Sequence, residues 1–371
     1  MEVLNELPLV DAHCHRVLGG SVTATEFELC CTEADQTAPG ISYLDTPLGA
    51  ALRRWCPPVL GLAAGASVDE YLARRTDLGA TATRLLLTAA GLSDLLVDTG
   101  IGGDELLTPA EVGAAAAAQV GEVVRLETVA ERLAGDGVSA ADFAEAYPAA
   151  LAAATVGAVA VKSIVAYRHG LDIDPGRPAV AEVTAAARTW LPTARETAPD
   201  RLIDPVLLRF LLWCGLDTGL PIQIHTGFGD RDLRLTRTNP ALLQPFLAAA
   251  EPSGNPIILL HCYPYQREAG WLAAVFPHVY ADVGLTLSHV GARAGAVLAE
   301  FCELAPFGKL LFSTDAYRLP ELYLVGAAQF RHALGALLTS WHAEGAMTVD
   351  TAERCATMIG ADNARRIYRL S

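Results

Sequence analysis

The chain has 371 residues, of which 52% are hydrophobic, and it carries a net charge of −15. That acidic balance excludes a nucleic-acid surface built on clustered Lys and Arg, and the Ala-rich stretch Ala114–Ala118 is far too short to cross a membrane. The length accommodates two average domains or one large α/β barrel with insertions.

Met1–Glu6 lacks the basic and the long apolar regions of a secretory signal. The eight cysteines are scattered, with only Cys30 and Cys31 adjacent and no CxxC pair, so the expected setting is a reducing cytoplasm. Only two lysines occur, Lys162 and Lys309, which draws attention to the first of them inside an apolar run.

In chain order, Leu7–His13 predicts the first strand and leads into Asp11-Ala12-His13-Cys14-His15. Side chains alternate along a strand, so His13 and His15 share a face and Cys14 takes the other. Asp94–Thr99, Glu122–Thr128 and Ala158–Ala166 predict strands two to four, each bounded by turn residues. Pro221–Thr226, Pro256–Tyr263, His278–Leu285 and Lys309–Asp315 predict strands five to eight. Helical patterns fall between them. Ser67–Ala90 opens on a Ser-Val-Asp-Glu capping signature. Ser139–Ala154, Val180–Trp190, Asn239–Ala250, Gln266–Phe276, Ala292–Leu304, Pro320–His342 and Asp362–Leu370 follow.

Eight strands separated by helices predict an α/β fold, a (β/α)8 TIM barrel formed by a single domain over residues 1–371. Two stretches exceed ordinary loop length: about 16–68 after strand one and about 169–218 after strand four. Both follow strands, so both are expected on the C-terminal face, where barrel active sites lie, as helical lid or substrate-shaping insertions.

The polar residues at the predicted strand ends are His13 and His15 on strand one, Lys162 on strand four, His225 on strand five, His261 on strand six and Asp315 on strand eight. Neutral imidazoles and a carboxylate suit zinc or another borderline first-row cation, which acidifies a bound water and polarises a carbonyl. A carboxylate at such a metal can take the water's proton and pass it to a leaving group. A lone buried histidine is ordinarily a hydrogen-bonded core residue. With His13, His15, His225, His261 and Asp315 at matching strand ends, that reading drops to roughly 5%.

His-x-His on strand one, His on strands five and six and Asp on strand eight resemble the pattern of the amidohydrolase superfamily. The segments Lys162-Ser163-Ile164-Val165-Ala166-Tyr167-Arg168, Ile224-His225-Thr226-Gly227-Phe228-Gly229-Asp230, Leu260-His261-Cys262-Tyr263-Pro264 and Phe312-Ser313-Thr314-Asp315-Ala316 resemble the amidohydrolase-2 branch. They are most similar to the amidohydrolase domain that is joined to a glutamine-synthetase-like domain in FluG and nodulin-type proteins. The resemblance covers essentially the whole chain, which is too short to hold the synthetase-like domain as well, so a stand-alone version is expected.

The resemblance implies that His13, His15, His225 and Asp315 hold one divalent metal. Zinc is the first expectation, with manganese and iron as alternatives. His261 would orient the attacking water or polarise the substrate, so Asp315 and His261 are the catalytic pair. It also offers Lys162 as a carbamylated bridge between two metals, with His225 and His261 on the second; one ion is favoured over two. The plain alternative for Lys162 is a core ion pair with Glu127.

An arginine fork suits bidentate capture of a carboxylate. Arg168 after strand four is the leading substrate contact on that ground, with Arg231, Arg234 and Arg237 in the polar stretch after strand five. Tyr167, Glu127 and Asp98 are further pocket candidates, each with an equally ordinary structural reading. Asp282 reads as a polar group of the barrel interior, and His289, following strand seven, is within reach of the pocket.

The leading expectation is therefore metal-dependent hydrolysis of an amide C–N bond in a small carboxylate-bearing substrate; a γ-glutamyl amide is suggested by the link to glutamine-synthetase-like partners. A metal-dependent decarboxylase of the same branch is the alternative enzyme. A noncatalytic binding or assembly domain is the alternative of another class, disfavoured because a scaffold has no need of a costly buried polar cluster. The expected partner is a small molecule, with neither nucleic acid nor membrane, and a homo-oligomer is compatible with the sequence.

Overall fold

The computed structural model describes residues 7–196 and 201–371; Met1–Glu6, read above for targeting, lies outside the described residues. Among the described residues eight strands occur: β1 Leu9–Cys14, β2 Leu92–Asp98, β3 Gln119–Arg125, β4 Ala160–Ser163, β5 Ile222–His225, β6 Ile257–Leu260, β7 Val279–Asp282 and β8 Leu310–Leu311. They belong to one sheet whose order is the order of the chain. The ladders β1/β2, β3/β4, β4/β5, β5/β6 and β6/β7 are all parallel. The segment following β8 bonds back to β1, with Ala12 N–H donating to Phe312 O at 3.1 Å and Asp315 N–H to His13 O at 2.9 Å. A parallel sheet in chain order whose last strand returns to its first, with helices in the connections, is a (β/α)8 barrel.

Packing divides the chain into two compact units. The first is Met1–Gly121, Gly229–Arg231 and Asp282–Ser371; the second is Glu122–Phe228 and Asp232–Ala281.

In the first unit, the long stretch after β1 is mostly helical: Ala24–Leu29, Pro47–Val59 and Val68–Leu78, then Ala80–Ala89. The helix expected over Ser67–Ala90 is two helices, because Gly79 sits at φ +54° between them, in a conformation that only glycine adopts without strain. These helices bury Leu48, Leu52, Cys56, Tyr71 and Leu86 against Leu319, Leu324 and Val325. A buried ion pair fixes this packing. Arg75 Nε donates to Glu321 Oε1 at 2.7 Å and Tyr71 Oη to the same oxygen at 2.8 Å. Glu321 lies in the first turn of the long helix Pro320–Ala343, and Tyr323 on that helix donates its hydroxyl to the carbonyl of His15.

In the second unit, several strands are shorter than their apolar patterns. The third stops at Arg125, and Leu126–Gly135 is already helix, so Glu127 sits on a helical turn and not on the strand. The fourth stops at Ser163, followed by a short helix Val165–Arg168. There the Glu127 carboxylate accepts from Ser163 Oγ at 2.6 Å and from Ile164 N–H at 3.0 Å, turning the chain away from the ladder. The stretch 169–218 holds two helices, Val180–Glu196 and Pro205–Asp217. The second was missed because Leu207, Leu208, Leu211, Leu212, Cys214 and Leu216 are buried nearly all round, which hides the helical period. Its start is nonetheless conventional: the Asp204 side chain accepts from Val206 N–H at 2.9 Å, and Pro205 opens the helix.

Candidate metal centre

The donors of the first unit come from β1, β2 and the segment after β8. His13 and His15 are 0% and 6% exposed, and both Nε2 atoms lie 3.2 Å from Asp315 Oδ1. Their rings meet edge to face at 5.0 Å. Asp98, at the end of β2, is equally buried, and one donor atom each from His13, His15 and Asp98 falls within 4.8 Å of the others. Tetrahedral coordination with bonds of roughly 2.0–2.1 Å separates ligand atoms by about 3.3 Å. The 3.2 Å spacings therefore match the edges of a divalent-ion site. Buried His15 Nδ1 has no hydrogen-bond partner in the structure, so nothing there locks the imidazole as a structural donor.

Asp11 sets this geometry. Its carboxylate accepts from Thr314 N–H at 2.8 Å and from Thr314 Oγ at 2.5 Å, pinning the residue that precedes Asp315. Burial pushes the Asp11 carboxyl up to about 8, against the opposing pull of those Thr314 bonds. Asp315 itself sits at φ +50°, a left-handed backbone, with its carboxylate on the two imidazoles. Such a position costs of order 1–3 kcal/mol and persists only where surrounding bonds over-determine it. Of the strand expected over Lys309–Asp315, β8 itself covers only Leu310–Leu311, while Phe312 O and Asp315 N–H still bond to β1.

The donors of the second unit are His225, His261, Lys162 and Tyr167. Register places Lys162 opposite Gln223, and His225 lies two residues beyond Gln223 on the same face. Register also places Leu260, not His261, opposite His225, so a regular strand would turn His261 to the other face. His261 and Cys262 instead adopt φ +67° and +63°. That breaks the alternation expected over Pro256–Tyr263 and sets the His261 ring 4.6 Å from that of His225. The Tyr167 ring also packs on His225, with centroids 4.5 Å apart. Gly227, at φ +74°, lets the chain pass under this turn; a Cβ there would lie 2.4 Å from Tyr263 O. Lys162, 3% exposed, is buried in the same strand layer.

The other predicted residues are placed as follows. Glu127 braces the end of β4 through the Ser163 and Ile164 bonds, and burial raises its carboxyl above the ordinary range. Arg168 Nη2 is 3.0 Å from Glu131 Oε1, while its buried Nε and Nη1 have no hydrogen-bond partner. Arg231 is exposed and paired with Asp35 at 3.2 Å, Arg234 is exposed, and Arg237 Nη2 lies 3.5 Å from His169 Nε2. Asp282 is fully buried and accepts from Gly284 N–H at 3.0 Å, starting the helix Gly284–Val290. Cys14 is buried and donates to Leu96 O at 3.5 Å. A groove of about 700 Å³ lined by Arg54, Trp55, Gln329 and His332 shares no lining residue with the strand ends.

Glu33 was missed. It lies in the first long stretch, and its Oε1 is 3.6 Å from His289 Nε2. Burial, with Asp315 and Asp230 nearby, pushes the Glu33 carboxyl up to about 7; burial pulls His289 down to about 4. The one sequence signal for this region was the capping box of Thr23 and Glu26, which starts the helix leading to Glu33.

Comparison with known proteins agrees with this architecture. A protein from Lactobacillus casei ATCC 334, provisionally assigned as a metal-dependent hydrolase, superposes with a TM-score of 0.87 at 29% identity, over 99% of this chain and 96% of that one. Glucuronate isomerase from Caulobacter crescentus shares the fold, with a TM-score of 0.70 at 18% identity over 100% of this chain and 93% of that one. The protein FluG of Emericella nidulans is 36% identical over 223 residues, 57% of this chain and 26% of FluG, so the chain spans about a quarter of that relative's length. Residues 10–370 match the amidohydrolase model of the amidohydrolase-2 type, and with the eight-stranded barrel this shows that the chain belongs to the amidohydrolase family.

Proposed function

We propose that the protein is a metal-dependent hydrolase that cleaves an amide C–N bond in a small substrate bearing a carboxylate, with a γ-glutamyl amide as the leading substrate class. The observation that carries this reading is the convergence of His13 Nε2 and His15 Nε2 on Asp315 Oδ1, each at 3.2 Å. Its likeness to a protein assigned as a metal-dependent hydrolase, at 29% identity over 99% of the chain, supports hydrolysis over other chemistries of the family.

In this reading His13, His15, His225 and Asp315 hold one divalent ion, zinc first and manganese or iron otherwise, with Asp98 as a further carboxylate beside the two strand-one imidazoles. The bound ion would acidify water and polarise the scissile carbonyl. Asp315 accepts a proton at its carboxylate and delivers it to the leaving nitrogen. His261, held in its left-handed turn against His225, donates toward the oxygen on which charge develops. Tyr167 limits rotation of the His225 ring. Lys162 is buried and acts either as a carbamylated bridge to a second ion or as an unmodified cation near the substrate.

Arg168 recognises the substrate carboxylate with the two N–H groups not spent on Glu131. The long stretches 16–68 and 169–218 shape the substrate-binding face of a single domain. The eight cysteines are free thiols, which supports a cytoplasmic setting; among the described residues no helix is long and apolar enough to cross a membrane. The test is metal analysis of the purified protein followed by an amide-hydrolysis screen of the unmodified enzyme beside Asp315→Asn. Stoichiometric metal and amine release that the variant abolishes support the reading; metal-free protein, or equal release by both, overturns it.

A further inference from the structure

Glu33 and His289 stand apart from the metal donors yet close to them. His289 ends the short helix Gly284–Val290, whose start is set by Asp282 accepting from Gly284 N–H at 3.0 Å. Glu33 follows the helix Ala24–Leu29, seated by buried Phe27 and Cys31. The pair approaches at 3.6 Å, with side chains 23% and 32% exposed, so both can meet a ligand. Two residues on, Asp35 is tied to Arg231 by two contacts of 3.2 Å. That bridge anchors the segment and also occupies the neighbouring arginine.

Resting on the amide reading above, we propose that Glu33 and His289 form a specificity pair that receives the leaving-amine side of the substrate and selects an amine carrying a second, cationic ammonium group. Three features of the surroundings point the same way. Besides Asp315, which the proposed ion would occupy, the carboxylate acting on Glu33 is that of Asp230, so a substituent with negative charge is repelled there and one with positive charge is attracted. A divalent ion held by Asp315 would cancel that residue's charge and so remove one of the carboxylate contributions that add to burial in holding the Glu33 carboxyl up, which favours its charged form beside a cation. His289, kept neutral by burial, supplies a ring nitrogen to an N–H group without adding a competing positive charge.

The experiment compares two amides with the same γ-glutamyl part, one of 1,4-diaminobutane and one of aniline, on the metal-loaded protein and on Glu33→Gln. The expected result is a KM for the diamine amide raised about tenfold in the variant, with kcat within about twofold and the anilide KM unchanged. Glu33→Asp, which keeps the charge, should restore part of the preference. An equal change for both amides, or none for either, overturns the proposal. If the unmodified enzyme turns over neither amide, the amide reading fails by itself. The pair is then judged by calorimetric titration with 1,4-diaminobutane: binding weakened about tenfold by Glu33→Gln upholds it, and equal binding to both proteins overturns it.

Discussion

The two compact units carry donor sets of different character. In the first, one carboxylate oxygen of Asp315 gathers two imidazoles at 3.2 Å, and Asp11 pins the chain immediately before it through Thr314. In the second, two imidazoles and a phenol pack ring on ring, with centroids 4.6 and 4.5 Å apart. The first set combines carboxylate with imidazole, the donor chemistry of a candidate cation site. The second has aromatic packing that fixes the orientation of its rings. Both include a non-glycine residue at positive φ in the segment after a strand: Asp315 at +50°, beyond β8, and His261 at +67°, directly after β6. Alternation along a strand can aim a side chain to only one of two faces, so a site that needs intermediate directions is bought with local strain.

The largest effect should come from the carboxylate of the first set. Asp315→Asn should lower kcat by at least about 10³-fold and reduce bound metal, read by turnover and elemental analysis, because it removes charge where ligand atoms converge. Replacing the two second-unit histidines should then separate their roles. His225→Asn should lose metal, whereas His261→Asn should keep it while kcat falls by about 10²–10³-fold, as for loss of a donor to developing charge. Equal metal loss in both variants would give the second set the same job as the first.

Stability offers two finer contrasts. Arg75→Met in the first unit should cost about 3 kcal/mol in chemical denaturation, since it strands the fully buried Glu321 carboxylate. Glu127→Gln in the second unit should cost less and should change a pH dependence instead. Burial holds the folded Glu127 carboxyl above its ordinary range, so between the two values the folded state binds more protons than the unfolded chain. Its contribution is therefore present at low pH and lost as pH rises through the raised folded value. The variant should flatten that part of the stability profile. The smallest effect belongs to Asp35→Asn, whose partner Arg231 is exposed; a change within about 0.5 kcal/mol is expected.

Much of the fold was legible because barrel strands are short apolar runs between turn residues, and all eight lie inside or beside the segments read from the pattern. Their C-terminal limits were not legible. Glu127, read as strand, is a helical residue whose carboxylate turns the end of β4, and the contact joins residues 36 positions apart. The helix Pro205–Asp217 was hidden because a helix buried on most sides has no polar stripe to mark its period.

Taken alone, the sequence determined that imidazoles and a carboxylate stand at strand ends, that His13 and His15 share a face, and that the chain alternates strand with helix. Residue type and a period of two are enough for that, because both are local. Only the tertiary structure decided that Asp98 joins the strand-one histidines, that His261 faces His225 against its register, and that Glu33 from a long irregular stretch meets His289. Those outcomes rest on left-handed turns and on contacts between residues far apart in the chain, which neither composition nor periodicity encodes.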